Sequence, residues 1–140
     1  MQNLNNAMTV NPESRMGFLP MLFSEDFIRA ESNIYSYADR YIKNYTGGIW
    51  LFYNLPCGGG YMAPDMGSVT VCNPENWFER EMSADAAGIF ITAIVLNHRS
   101  WMHSHHDEEE LCTHHCQRYE QLMSFVETHP ERELIMRALD

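Results

Sequence analysis

The sequence predicts an α+β fold: a single compact domain with a small antiparallel sheet of about three or more strands, packed with a buried central helix and flanking helices. Three observations predict it. Residues 49–72 alternate short aromatic and branched runs with glycine- and proline-containing turns, the pattern of short strands. Residues 84–96 are apolar almost all round at helical length, as in a helix buried on most sides. Residues 24–45 and 108–127 carry apolar side chains at helical spacing, each with one stripe to bury.

Residues 1–15 read as a flexible N-terminal tail, with four asparagines, one proline and few apolar anchors. The domain is expected over 16–140. Residues 16–23, interrupted by Gly17 and Pro20, read as an extended lead-in. Ser24 reads as a helix N-cap with Glu25 and Asp26 in the first turn, where carboxylates complement the helix dipole. Phe27, Ile34, Tyr35, Ala38, Tyr41 and Ile42 form that helix's stripe. It is expected to stop before Thr46-Gly47-Gly48, with Gly47 in a left-handed cap.

Residues 49–55 are apolar on both faces, which predicts a central strand. After the turn Pro56-Cys57-Gly58-Gly59-Gly60, residues 61–63 and 68–72 predict two more strands in an antiparallel meander, and Asn73-Pro74-Glu75-Asn76 is a further turn. Ser83 reads as the cap of the central helix, which is expected to end near Trp101. A polar link over 103–107 leads to a helix over 108–127, with Leu111, His115, Tyr119, Leu122 and Val126 on one face. Pro130 starts a short last helix over 131–138.

A chain of 140 residues is long enough to bury one core without staples. The net charge of −10, from 19 acids against 9 bases, argues against stable direct nucleic-acid binding and against anionic membranes. The N-terminus has no basic start and no apolar core, and the longest apolar run is too short to span a bilayer. A cytoplasmic location is expected. In a reducing compartment Cys57, Cys72, Cys112 and Cys116 are expected as free thiols, although a Cys57–Cys72 bridge is conceivable from their places near strand ends.

Three constellations invite a chemical reading. His103, His105, His106, Cys112, His114, His115 and Cys116 bear metal-ligand side chains, but their spacing matches no common zinc signature. The plain alternative puts Cys112 and Cys116 in the core stripe and leaves the histidines solvated around a loop; neither metal nor cofactor is expected. Cys57 beside a glycine turn lacks a neighbouring base for nucleophilic work. The run 107–110 is four consecutive acids, and the last forty residues hold 9 acids against 3 bases, a balance of −6, compared with −4 for the first hundred. That leaves an acidic DNA mimic open as an alternative, although mimicry needs carboxylates spread at phosphate-like spacing. Glu79, Glu81 and Asp85 surround the entry of the central helix, with Asp85 serving its dipole.

Several blocks resemble the ArdB/KlcA antirestriction family: Arg15-Met16-Gly17-Phe18-Leu19-Pro20, Tyr45-Thr46-Gly47-Gly48 with Trp50 and Phe52-Tyr53, and Gly60-Tyr61-Met62-Ala63-Pro64. Glu81-Met82-Ser83-Ala84-Asp85-Ala86-Ala87-Gly88, with Leu96-Asn97-His98 and Trp101, completes the resemblance, which covers about 15–127. It implies a compact α/β protein of plasmids and other mobile elements that protects incoming DNA from type I restriction while sparing modification. It implies no catalytic residues and no elongated DNA mimic. The expected partner is the type I restriction machinery or an associated host factor. Tyr45, Tyr61, Glu79, Glu81 and Asp85, taken as exposed members of these blocks, are the expected partner-binding residues, since polar and aromatic groups at element ends often serve recognition.

Overall fold

The computed structural model describes residues 7–140, so the first part of the expected tail, 1–6, lies outside the described residues. The elements are β1 (Met8–Thr9), α1 (Arg15–Phe23), α2 (Phe27–Tyr41), β2 (Trp50–Asn54), β3 (Gly60–Pro64), β4 (Ser68–Asn73), β5 (Phe78–Ser83), α3 (Ala84–His105), α4 (Glu109–Val126) and α5 (Arg132–Leu139). The α+β class and the buried central helix are as the sequence predicts. Helix α3 packs against β3, α2, α4 and α5, and Ile89, Phe90, Ile91, Val95 and Leu96 are wholly buried along it.

The strands form two sheets, not one meander. The first is β1–β2–β3, antiparallel and centred on β2, and the second is the β4–β5 hairpin. The reason lies at the outer edge of β3. There the Thr92 hydroxyl of α3 accepts from the Met62 amide and donates to the Met62 carbonyl, each at 3.3 Å. A Cβ on Gly88 would stand 2.5 Å from the Met62 carbonyl oxygen and from the Ala63 Cα. Glycine thus lets the helix backbone lie directly on the strand, where a fourth strand would otherwise pair.

Near the N-terminus the tail reading does not hold over the described residues. Met8 and Thr9 pair with Asn54 and Tyr53 of β2, and Val10 is buried, so strand pairing ties this segment down. The expected extended lead-in is α1. Pro20 removes one helical donor, but the helix puts Phe18, Leu22 and Phe23 into the core, and burial of three large side chains outweighs the loss. Ser24 is the left-handed residue that ends α1, at φ 56, and its side chain caps nothing. A 3-10 turn over Ser24–Asp26 separates α1 from α2. Helix α2 ends at Tyr41, earlier than expected. Ile42 turns extended and bridges Val71, and the Lys43 amide donates to the Thr70 carbonyl at 2.9 Å. Gly47 has positive φ but sits in the following loop.

Ser83 caps α3 as expected, accepting from the Ala86 amide at 3.0 Å. The helix runs on to His105, past Trp101, because Arg99 and His103 in its last turns are buried and partnered. In the turn after β2, Gly58 and Gly59 adopt φ 103 and 74, and a Cβ on either would come within 2.7 Å of the Gln121 side chain. All four cysteines are free. No described helix is long and apolar enough to cross a membrane.

Candidate functional site

The five residues singled out by the sequence do not form one surface. Tyr61 and Asp85 come together, with Tyr61 buried and Asp85 half-buried beside it. Tyr61 is 2% exposed, because β3 is covered on both faces: Tyr53 stacks on its ring at 4.8 Å and Phe125 of α4 at 5.9 Å. Its hydroxyl donates to Asp85 Oδ1 at 2.5 Å. The other carboxylate oxygen, Oδ2, meets His129 Nε2 at 2.9 Å. His129 Nδ1 accepts from the Glu131 amide at 3.0 Å, which places the ring proton on Nε2 as the donor to Asp85. The Glu131 carboxylate in turn accepts from the Ser83 amide, at 2.9 Å, and from the Ser83 hydroxyl.

These bonds clamp the entry of α3 to β3 and to the α4–α5 link. Burial first, and then the hydrogen bond to Asp85, hold the Tyr61 phenol far above its ordinary pKa, so it stays protonated. The arrangement orders a carboxylate; it supplies no nucleophile. Tyr61 is therefore not an exposed contact residue, contrary to expectation, and Asp85 has its two oxygens committed.

Tyr45 lies half-buried in the loop before β2. Its hydroxyl accepts from Trp50 Nε1 at 2.9 Å, and its ring meets Trp50 edge-on. Glu79 and Glu81 stand exposed on one face of β5, opposite Cys72 and Thr70 of β4. Glu79 reaches Lys43 only at 3.8 Å, an exposed pair that contributes little. At the hairpin tip is Trp77, which sequence reasoning missed: 91% exposed and left-handed at φ 62. A bulky aromatic side chain in that conformation and fully in water is uncommon; the turn signal was legible, but the exposure was not.

The expected metal-type cluster divides in two. Cys112 is half-buried and Cys116 exposed, so neither fills the core stripe, and His105 and His106 are exposed. His103 and His115 are instead buried, facing each other across α3 and α4 at 5.2 Å between ring centres. Between them sits Asp26, held by Arg99 through Nε to Oδ2 at 2.7 Å and Nη2 to Oδ1 at 2.8 Å. Burial raises the Asp26 pKa, but Arg99 and His103 beside it prevail and hold it below the ordinary value. Burial also pushes the His115 imidazole below its ordinary value. Sequence reasoning missed Arg99, whose place four residues before His103 at the end of an apolar helix is a signal that could have found it; nothing local ties Asp26, 73 residues from Arg99, to either.

Cys57 Sγ lies beside the Gly58 and Gln121 carbonyls, at 3.8 and 3.6 Å, which are acceptors and not bases.

Comparison with known proteins adds what the geometry leaves open. A family model described as antirestriction protein matches residues 43–140. The chain is 43% identical to the YubI protein of Escherichia coli strain K12 over 135 residues, which is 95% of this chain and 96% of that protein. It is 34% identical to an antirestriction protein KlcA of Escherichia coli over 136 residues, 96% of this chain and 94% of KlcA. Among solved structures it matches one from work on the KlcA and ArdB proteins, with a TM-score of 0.85 and 33% identity, over 100% of this chain and 98% of that one. Those two proteins have a novel fold and antirestriction activity against type I DNA restriction systems in vivo but not in vitro.

Proposed function

The chain belongs to the ArdB/KlcA antirestriction family, and from that premise we propose that it inhibits type I restriction endonucleases in the cytosol as a non-enzymatic binding protein. Its target in this reading is the restriction machinery or a host factor on which the machinery depends. The observation that carries the reading is the full-length likeness to KlcA and ArdB, at a TM-score of 0.85. Activity of those relatives in vivo but not in vitro favours a route through a cellular factor over simple occupation of the nuclease.

The distribution of charge speaks against DNA mimicry. A mimic presents unpaired carboxylates along an extended face, matching one phosphate per ~3.4 Å of helix axis on each strand. Here Asp26 pairs with Arg99, Glu75 with Arg40, Asp85 with Tyr61 and His129, and Glu131 with Ser83. The densest run of exposed carboxylates, Asp107, Glu109 and Glu110, is one local cluster at the start of α4. The contact face in this reading is the outer face of the β4–β5 hairpin, with Glu79, Glu81 and Trp77; Tyr45 lies on the neighbouring loop.

The test is plating of unmodified phage on a host with an active type I system, with and without the protein. Restored plating with DNA methylation unaffected is the expected result. Failure to restore plating despite folded expression would overturn the assignment. A direct complex with the purified nuclease that dissolves steeply with salt would move the reading to mimicry. The double variant Glu79→Ala/Glu81→Ala should fold normally and lose protection; full protection would exclude the hairpin face.

A further inference from the structure

The buried Asp26–His103–His115 cluster has a feature that an ordinary ion pair does not explain. The imidazole nitrogens are already sorted into donors and bare acceptors. His115 Nδ1 lies 2.7 Å from the Leu111 carbonyl, which can only accept, so Nδ1 carries the proton. His103 Nδ1 lies 3.0 Å from the Glu108 carboxylate, which also accepts. In the neutral rings both Nε2 atoms are then bare lone pairs. Both are buried, and as bare acceptors neither meets a donor among the described residues. Both point at one atom, Asp26 Oδ2, at 3.1 Å from His103 and 3.6 Å from His115. Three electron-rich atoms thus converge in a space from which water is largely excluded; of the three, Arg99 donates only to Asp26 Oδ2, so the two bare imidazole nitrogens are costly unless a cation sits among them.

We propose that Asp26 Oδ2, His103 Nε2 and His115 Nε2 form a binding site for a divalent transition metal ion of the zinc type. The spacing fits: tetrahedral zinc with bonds of ~2.0–2.1 Å sets its ligand atoms about 3.3 Å apart, between the two separations to Asp26, and all three ligand atoms lie within 4.8 Å of one another. Two imidazoles and one carboxylate suit zinc, cobalt or nickel and not magnesium or calcium. The outer partners are those that metal-bound histidines use: Glu108 on one Nδ1–H and the Leu111 carbonyl on the other, fixing tautomer and ring orientation. Arg99 is a positioning residue that holds both Asp26 oxygens, donating from Nε to the ligand atom Oδ2 at 2.7 Å and from Nη2 to Oδ1 at 2.8 Å. A pocket lined by Glu25, Arg29, Met102 and His106 opens onto Asp26 and His103 and offers an ion a path of entry. Such an ion would join the start of α2, the end of α3 and the first turns of α4. The site lies away from the β4–β5 hairpin, so it stands or falls independently of the contact face.

The experiment is titration of the untagged, chelator-treated full chain with cobalt(II), read by visible absorption, and with zinc(II), read by calorimetry and thermal midpoint. One equivalent of either ion, with tetrahedral cobalt bands and a raised midpoint, is expected. His115→Gln should abolish this binding. Glu108→Gln, which keeps every ligand, should weaken it by about 10–100-fold and serves if His115→Gln does not fold. A variant with His105→Ala, His106→Ala, Cys112→Ser and Cys116→Ser should bind as the parent does. No stoichiometric binding by the parent would overturn the proposal. Binding lost in the surface variant but kept in His115→Gln would overturn it equally, placing the metal on the exposed cluster.

Discussion

Gly88 shows how much a single residue decides here. A methyl group at that position would stand 2.4 Å from the Ala63 Cβ and 2.5 Å from backbone atoms of β3. None of those is the far end of a flexible side chain that can swing away. Gly88→Ala should therefore destabilise the protein by about 1–3 kcal/mol or more, despite alanine's better helix propensity; a urea midpoint equal to the parent's would contradict the close packing of α3 on β3. Tyr61 carries a different kind of weight. Tyr61→Phe keeps its stacking on Tyr53 and Phe125 and removes only the donor to Asp85. Asp85 keeps His129 and partial access to water, so the expected cost is about 1–2 kcal/mol by chemical denaturation. Both residues stood within blocks that marked the family, and Tyr61 was expected at the surface. Its burial was not legible, because alternation along β3 cannot reveal that both faces are covered.

At the scale of elements, the strongest local patterns survived and the weakest yielded to packing. The apolar run of α3 and its Ser83 cap were read correctly because cap and stripe are local properties. Helix α1 was read as extended because Gly17 and Pro20 dominate its local preference, while its reason to be helical, the burial of Phe18, Leu22 and Phe23, lies in contacts distant in sequence. The β4–β5 hairpin makes an element-level prediction. Trp77 holds φ 62 without burial to repay the strain, so Trp77→Gly should leave stability unchanged or raise it by up to about 1 kcal/mol. Thermal melts check this, and the same variant then tests the contact face cleanly: lost protection in a fully folded protein would report recognition at the hairpin tip.

For the whole molecule, the aromatic content becomes a pH response. Burial above all raises the phenols of Tyr41, Tyr53 and Tyr61, and of the more exposed Tyr35, above the ordinary 10.0, with the Glu31 and Asp85 carboxylates adding to Tyr35 and Tyr61. An unfolded chain gives up these protons near pH 10.0 and the folded one keeps them. Their contribution to stability is thus complete below that pH and is lost as pH rises beyond it. The urea midpoint should stay level from pH 8 to about 9.5 and fall above about pH 10, less steeply in Tyr61→Phe; a flat profile to pH 11 would contradict the burial of these rings. The sequence by itself determined the α+β class, the central helix with its cap, the positions along the chain of β2, β3 and β4, the family and its acidic balance, since each rests on local periodicity, on short motifs or on composition. Only the tertiary structure decided that the strands divide into two sheets, that Tyr61 and Asp85 form an internal brace, and that Asp26 meets His103 and His115. Those outcomes depend on which backbone can approach which, and on partners up to 89 residues apart, as Asp26 and His115 are, and no local pattern encodes a distance of that kind.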